Sequence, residues 1–224
     1  MSNKPGKRYS APLSACAAIL AVIAIVSTTV AMAPVAYADQ SSTDVVKSLV
    51  NPALEILNDK SSPLKDRQQK LRQLVSSDVF DYTAMARSAL GLHWKDINDQ
   101  QRQDFTQVFT AFLRDSYISR IQDFSVQQVN YLGASDLGDG RSEVKTTIEQ
   151  PGGAAPVQVN YMLRQEGGKW QIYDVTVDNI SIAANYRNQF NRVINNQGFD
   201  TLMADLKRKQ QGLEDQLGTP HAHD

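Results

Sequence analysis

The apolar residues that follow residue 38 recur at helical spacing. Thr43 is the expected cap of a first helix, and Pro52 is expected to break or kink that helix. A second, short helix is predicted to open at Pro63 and to end near Ser76. The apolar positions that indicate the first helix are Val45, Val46, Leu49, Val50, Leu54 and Leu57.

Capping residues mark two further helices. Asp81 is expected to cap a helix over residues 82–90 that stops at Gly91. A longer helix is predicted after Asn98, because Gln101 stands where a capping box requires it. The predicted buried face of this longer helix is unusually aromatic. Its apolar positions are Phe105, Val108, Phe109, Phe112, Leu113, Ile118 and Ile121.

From residue 124 the period of the apolar residues changes to two, which is typical of β-strands. Short Gly-rich connections separate four segments of strand length, and they favour an antiparallel meander. In the third segment Val157 and Val159 share one face, while Gln158 and Asn160 share the other. One face of the sheet is therefore expected to pack and the other to meet water. The predicted strands cover residues 125–132, 142–149, 156–165 and 169–178.

The last helical region starts near Ile182, is interrupted near Gly198 and is predicted to end near Gln210. Residues 212–224 are interpreted as a flexible tail. Helices that are separated along the chain from antiparallel strands indicate an α+β fold. We therefore expect a single domain over residues 39–211, in which helices wrap a curved four-stranded antiparallel sheet to make a cone with an apolar interior.

Residues 1–38 combine a basic start, an uncharged apolar run and Ala36-Tyr37-Ala38, the three regions of a secretory signal peptide. We expect cleavage after Ala38. A retained membrane anchor is the alternative, because the apolar run approaches the roughly 20 residues that span a bilayer. Acylation of Cys16 is disfavoured, because a lipoprotein cysteine follows its apolar region, whereas most of this region follows Cys16.

Composition excludes two classes of protein. The chain has 23 Lys and Arg residues against 24 Asp and Glu residues, so it lacks the basic excess of a domain that coats nucleic acid. Cys16 is its single cysteine, and cleavage of the signal would remove it. The mature fold must therefore depend on packing rather than on disulfides.

Two blocks of the sequence resemble a known family. The first is Phe80-Asp81-Tyr82-Thr83-Ala84-Met85-Ala86-Arg87, followed by Leu90-Gly91, Trp94, Gln101-Arg102, Phe105, Phe109 and Tyr117. The second is Trp170-Gln171-Ile172-Tyr173-Asp174-Val175, followed by Ile180-Ser181-Ile182 and Asn185-Tyr186-Arg187-Asn188-Gln189-Phe190. In order along nearly the whole mature chain, they are similar to the toluene-tolerance, or MlaC, family of periplasmic phospholipid-binding carriers. Asn179 stands where glycine is expected, which affects only the local turn because Asn tolerates a left-handed φ.

The resemblance implies a soluble shuttle that works in the periplasm of a Gram-negative cell. Such a shuttle accepts a phospholipid from one membrane-bound complex and delivers it to another, in a pathway that keeps the outer membrane asymmetric. The implied partners are an outer-membrane lipoprotein complex and an inner-membrane ABC transporter complex. The implied fold is an NTF2-like cone with the acyl chains inside and the head group outside, and neither a cofactor nor an enzymatic activity is implied.

The apolar faces of the long helix and of the sheet are the candidate walls of a lipid pocket. Their periodicity alone favours an ordinary packed core, and only the resemblance favours a hollow one. Arg87 and Arg187 are weak candidates to contact a head group or a partner, beside Arg114, Arg120 and Arg164. The candidate lipid-binding residues are Phe105, Phe109, Phe112, Leu113, Val144, Ile148, Val157, Val159, Tyr161, Leu163, Trp170 and Ile172.

Catalysis and metal binding are weakly indicated. Asp81, Asp174 and Asp178 are better explained as capping or solvated carboxylates, and no second group stands at a spacing that makes a dyad with His93. The chain end, His221-Ala222-His223-Asp224, is a weak candidate for binding a transition metal. Three alternatives stay open: a carrier of hopanoids or other polycyclic lipids, an NTF2-like enzyme, and an adaptor that binds no ligand.

Overall fold

The computed structural model describes residues 40–75, 78–120 and 126–218. The expected signal peptide and the His-containing chain end lie outside these ranges. Within them the chain forms six α-helices and one open, five-stranded antiparallel sheet, which confirms the α+β class. The helices are α1 (Ser42–Asn58), α2 (Leu64–Val75), α3 (Tyr82–Leu90), α4 (Asp99–Ile118), α5 (Ile182–Gln197) and α6 (Phe199–Leu217). The strands are β1 (Gln128–Gly138), β2 (Arg141–Glu149), β3 (Val157–Glu166), β4 (Lys169–Val177) and β5 (Ile180–Ser181).

The start of α1 differs from the sequence prediction. Ser41 rather than Thr43 is the cap, since its hydroxyl oxygen accepts a hydrogen bond from the backbone N–H of Asp44 at 3.2 Å. Pro52 was expected to break or kink the helix; the break is wrong, because α1 continues through Pro52 to Asn58, and the kink stays a prediction. The apolar face of α1 packs on the sheet, and burial of that face outweighs the backbone hydrogen bond that proline cannot donate.

The caps of α3 and α4 confirm the sequence prediction. Asp81 accepts a hydrogen bond from the backbone N–H of Ala84 at 2.9 Å, and α3 ends at Gly91, whose φ is +58°. Asn98 and Gln101 form both hydrogen bonds of a capping box at the start of α4. A 3₁₀ turn, Gly91–Lys95, joins the two helices.

The strands follow one another in sequence order across the sheet, so β1 and β5 are its edges. Four strands match the predicted segments, but the prediction of four strands is wrong. The fifth strand, β5, has only two residues, too few to show an alternating pattern. The chain turns from β4 into β5 at Asp178 and Asn179, whose φ angles are 47° and 65°. β1 continues past residue 132, where the sequence predicted that it ends. Register shifts at Leu132 and Leu137 interrupt the alternation of its side chains, and for this reason the sequence pattern ended too early.

The interior contains two large apolar clusters. One fills the space between α3, α4, α5 and α6, and its aromatic centre is Phe105, Phe109 and Phe190. The other packs α1 against the inner face of the sheet, around Val144, Leu163 and Ile172. Closure of this open sheet into an NTF2-like cone stays a prediction.

The last helix extends further than the sequence indicated. α6 continues past Gln210 to Leu217, which is 7 % exposed and packs with Leu71 and Ile118. The first residues of the predicted tail are therefore helical, and residues 219–224 lie outside the described part of the chain. None of the helices in the described ranges combines the length and the apolar content that a membrane crossing requires.

Candidate functional site: an apolar pocket between sheet and helices

A pocket of about 720 Å³ separates the inner face of the sheet from the helices. Helices α2, α3 and α4 line one side of it, and strands β2, β3 and β4 line the other. The β2–β3 connection contributes Gln150 and Pro151 at one end. The side chains of its wall are mostly aliphatic: Leu57, Val75, Met85, Leu113, Ile118, Val126, Ile148, Val157, Val159, Val175, Val177 and Ile182.

The pocket stays open because its facing side chains are short. On β3 and β4, valines occupy the inward positions next to the pocket, and Val159 pairs directly with Val177. Valine is stiff about χ1 and cannot extend to fill the space in front of it. A sheet face of this composition gives a smooth hydrocarbon wall without hydrogen-bonding groups.

Tyr82 and Tyr117 bring hydroxyl groups to the pocket wall. The hydroxyl of Tyr82 donates a hydrogen bond to the carbonyl of Val75, which joins α3 to the end of α2. Burial raises the pKa of Tyr82 to about 12, against the opposing effect of Arg114. Burial also raises the pKa of Tyr117, so both phenols are neutral at physiological pH.

Arg114 is the only charged residue among the described wall residues, and a buried carboxylate holds it in place. Asp115 is fully buried, and it accepts hydrogen bonds from Arg72, Arg114 and Gln210. Burial alone raises the pKa of Asp115, but these hydrogen bonds together keep the pKa of its carboxyl below the usual value of 3.8. The cluster ties α2 and α6 to α4 beside the pocket.

Four of the candidate lipid-binding residues lie on the pocket wall: Leu113, Ile148, Val157 and Val159. They come from α4, β2 and β3, so the structure brings together the helix and the sheet as the sequence predicted. Their contact with a lipid stays a prediction.

The other eight candidate lipid-binding residues are not among the described residues that line the apolar pocket. Phe105 and Phe109 are 0 % and 1 % exposed inside the helical cluster, against which Phe112 also packs. The remaining five belong to the cluster under α1 or pack against it: Val144, Tyr161, Leu163, Trp170 and Ile172. The apolar period of the sequence placed all of them inward, but it carries no information about which inward positions meet neighbouring side chains and which face a void.

The arginines of the two matched blocks lie away from the pocket. The guanidinium carbon of Arg87 is 5.6 Å from the centre of the Trp94 ring, a cation–π contact. Arg187 packs over Gly91, where an added Cβ would come within 2.7 Å of the Arg187 Cδ. These contacts join α3, the 3₁₀ turn and α5, and a role in contacting a head group or a partner stays a prediction.

The carboxylates considered for catalysis have structural hydrogen bonds. Asp81 caps α3 and pairs with Arg164. Asp174 accepts from the Ser181 hydroxyl at 2.5 Å and from the Ala183 backbone N–H at 3.2 Å, so it holds the start of α5. None of these groups is on the described pocket wall.

Several wall residues were missed by the sequence prediction. Val175 and Val177 follow Ile172 on β4, whose two faces are both apolar in the sequence, so alternation did not single them out. Met85 and Tyr82 on α3 lie in the first matched block, which was the available signal for that helix. Leu57 and Val75 belong to the apolar positions of the first two helices, but their periodicity did not show that they face a pocket rather than a packed core.

Comparison with known proteins agrees with this geometry. The family model described as MlaC protein matches residues 47–208. A relative from Haemophilus influenzae, the intermembrane phospholipid transport system binding protein MlaC, is 24 % identical over 153 residues, which cover 66 % of this chain and 72 % of the relative. A solved structure from Ralstonia solanacearum, a phospholipid-binding protein in complex with a phospholipid, aligns with a TM-score of 0.65 at 25 % identity, covering 75 % of this chain and 96 % of that one. The chain therefore belongs to the MlaC family.

Proposed function

We propose that this chain is a periplasmic phospholipid carrier. It holds the acyl chains of a phospholipid in the pocket between the sheet and α2, α3 and α4. It moves the lipid between an outer-membrane lipoprotein complex and an inner-membrane ABC transporter complex, and so helps to maintain the lipid asymmetry of the outer membrane. The observation that carries the proposal is the apolar pocket of about 720 Å³ in a chain whose structural relative was solved with a phospholipid.

The composition of the wall suits hydrocarbon chains. A diacyl lipid has roughly 30 methylenes, and each buried CH₂ contributes about 0.8 kcal/mol, so a carrier that competes with a bilayer needs on the order of 20 kcal/mol of apolar contact. A shallow groove does not provide this contact. The pocket falls within the range of roughly 300–1,000 Å³ for ligand pockets, and aliphatic side chains form most of its wall.

The wall also favours binding over catalysis. Its described ionisable groups are Arg114, Tyr82 and Tyr117, and Arg114 is engaged by Asp115. A general base of low pKa is not present among these wall residues. The proposal also includes a fold that closes into an NTF2-like cone with the lipid head group outside. It further includes a signal peptide that is removed after Ala38.

Native mass spectrometry of the exported protein tests this function. The expected species is a chain that begins at Asp39 and carries one phospholipid. A protein that is empty and also fails to take phospholipid from vesicles would contradict the proposal. A hopanoid or other polycyclic passenger in the same spectrum would select the alternative ligand class.

A charge placed on the wall tests the location of the acyl chains. Val159 is 7 % exposed and lies on the pocket wall, so Val159→Glu is expected to abolish lipid carriage at a cost of several kcal/mol for the buried charge. Gln158→Glu is the matched control, because Gln158 is the preceding residue of β3 on the outer face. Val177→Glu, at a less buried wall position, repeats the test if Val159→Glu does not fold. A folded wall variant that carries lipid like the wild type would show that the assigned wall is wrong.

A further inference from the structure

Two polar pockets adjoin the apolar pocket across side chains of α4: Arg114 and Ile118 for one, and Tyr117 for the other. Arg114 lines the apolar pocket and a pocket of about 570 Å³ beside α2. Tyr117 lines the apolar pocket and a groove of about 520 Å³ between α4, α5 and α6. A ligand whose hydrocarbon lies in the apolar pocket can therefore place a polar end on either side.

Two of the three cations on the wall of the first polar pocket, Arg72 and Arg114, already have a carboxylate, and Lys65 is the third. Arg72 and Arg114 both donate hydrogen bonds to the buried Asp115, and Asp66 is a further acid on that wall. An incoming anion would compete with Asp115 for these guanidinium groups. Lys65 is then the one cation on this described wall without a carboxylate partner, and Asp66 follows it on the same wall, so the pocket beside α2 is a weaker site for a phosphate.

The groove between α4, α5 and α6, on the other side of Tyr117, has a different balance of charges. Its wall carries Arg120 and Lys209, and its described residues include no acid. Neither cation forms an ion pair within the described part of the chain. Both side chains are exposed, so they are free to turn toward a bound anion.

Two phenols accompany these cations. The ring of Tyr186 is fixed by T-shaped contacts with Phe109 and Phe112, at centroid distances of 5.3 Å and 6.0 Å. Burial raises the pKa of Tyr186 to about 12, so its hydroxyl keeps its proton and can donate to an anion. Tyr117 is 46 % exposed and supplies a second donor between the groove and the apolar pocket.

We infer that the groove formed by Tyr117, Arg120, Tyr186 and Lys209 binds the phosphate of the lipid head group. The inference rests on the proposed function, because it assigns the polar end of the same ligand. Two cations attract the single negative charge of a phosphodiester, and two neutral hydroxyl groups can donate hydrogen bonds to its acceptor oxygens. A purely structural role for Arg120, near the carbonyl end of α4, would stabilise the helix and leave lipid preference unchanged.

The test compares two lipids that differ only in the phosphate-containing head group. Dipalmitoyl phosphatidylglycerol and dipalmitoylglycerol are offered together in the same detergent, and native mass spectrometry gives the ratio of the two complexes. The double variant Arg120→Gln, Lys209→Gln is expected to lower the preference for the phospholipid about tenfold, with diacylglycerol binding retained. Tyr186→Phe is expected to lower it about threefold.

The matched control is Arg192→Gln, Lys207→Gln, which removes the same charge from exposed positions of α5 and α6 outside the groove. An equal ratio in the two double variants and the wild type would overturn the assignment of the phosphate. A wild-type protein that binds neither lipid would overturn the proposed function, and this inference with it. Inorganic phosphate is titrated alone by calorimetry: binding that the Arg120, Lys209 variant loses, without a change in lipid ratio, would assign the groove to free phosphate instead.

Discussion

The helical cluster and the pocket beside the sheet are both lined by apolar residues, yet only the cluster is filled. In the cluster, Phe105 and Phe109 stack at 5.4 Å, and Phe190 meets both rings edge to face. On the sheet side, valines and isoleucines face the helices across a space of about 720 Å³. The rings of the cluster reach one another and fill the space between the helices, whereas the valines and isoleucines of the pocket wall do not reach the helices that face them. Aliphatic side chains are close-packed where α1 lies on the sheet, so the distance between the facing elements, together with the size of the inward side chains, separates a core from a pocket.

The largest expected effect comes from truncating a ring of the filled cluster. Phe109→Ala is expected to lower the free energy of unfolding by about 3–5 kcal/mol, because it removes buried contacts and leaves a cavity. Val159→Ala, on the pocket wall, is expected to cost only about 1 kcal/mol, since one side of Val159 already faces open space. Urea unfolding of both variants measures the difference. Equal losses would contradict the contrast between filled and hollow regions.

The next largest effect concerns the charged cluster that borders the pocket. Asp115→Asn is expected to cost about 2 kcal/mol at pH 7, because Arg72 and Arg114 lose their buried carboxylate while keeping partial access to water. The pKa of Asp115 is lowered in the folded state, so its stabilisation is complete above the ordinary value of 3.8 and is lost as the pH falls through the folded pKa.

The difference in stability between wild type and Asp115→Asn should therefore shrink below about pH 4. Urea unfolding at a series of pH values from 7 to 3 follows it. Asp104→Asn is the control on the same helix, where the side chain accepts a hydrogen bond from Gln100 near the surface. A difference that stays constant down to pH 3 would show that the carboxylate of Asp115 is not the stabilising group.

The smallest expected effect comes from adding volume. Ala89 is fully buried in the helical cluster, so Ala89→Val is expected to cost roughly 1–2 kcal/mol by overpacking. Val177→Ile adds a methylene next to the pocket and is expected to change the free energy of unfolding by less than about 0.5 kcal/mol. Thermal unfolding of both variants compares them. Destabilisation of the Val177 variant equal to that of the Ala89 variant would indicate a pocket wall without spare room.

Local signals of the sequence predicted the elements better than the site. The capping residues Asp81, Asn98 and Gln101 fixed two helices because each acts on backbone groups within one turn. Alternation placed Val157 and Val159 inward correctly, and it placed Tyr161 inward as well. Whether an inward side chain meets a neighbour or a void depends on residues far away in the chain, so periodicity could not separate the wall from the core.

The partners of the charged residues were equally inaccessible to the sequence. The hydrogen bonds of Asp115 reach across 43 positions to Arg72 and 95 positions to Gln210. Arg87 and Arg187 were selected from the matched blocks, and their contacts with Trp94 and Gly91 depend on how α3 and α5 pack. Nothing in the spacing of these residues encodes that packing.

The irregular first strand has a consequence for how copies of this protein behave beside one another. β1 leaves one edge of the sheet unpaired within the described part of the chain, over the eleven residues Gln128–Gly138. A straight edge of this length would be a template on which a second copy could add its own strand and begin an aggregate. The register shifts at Leu132 and Leu137 distort that template, so backbone groups of an approaching strand cannot match it along its length. The same irregularity that hid the second half of β1 from the sequence pattern thereby protects a long exposed edge against self-association.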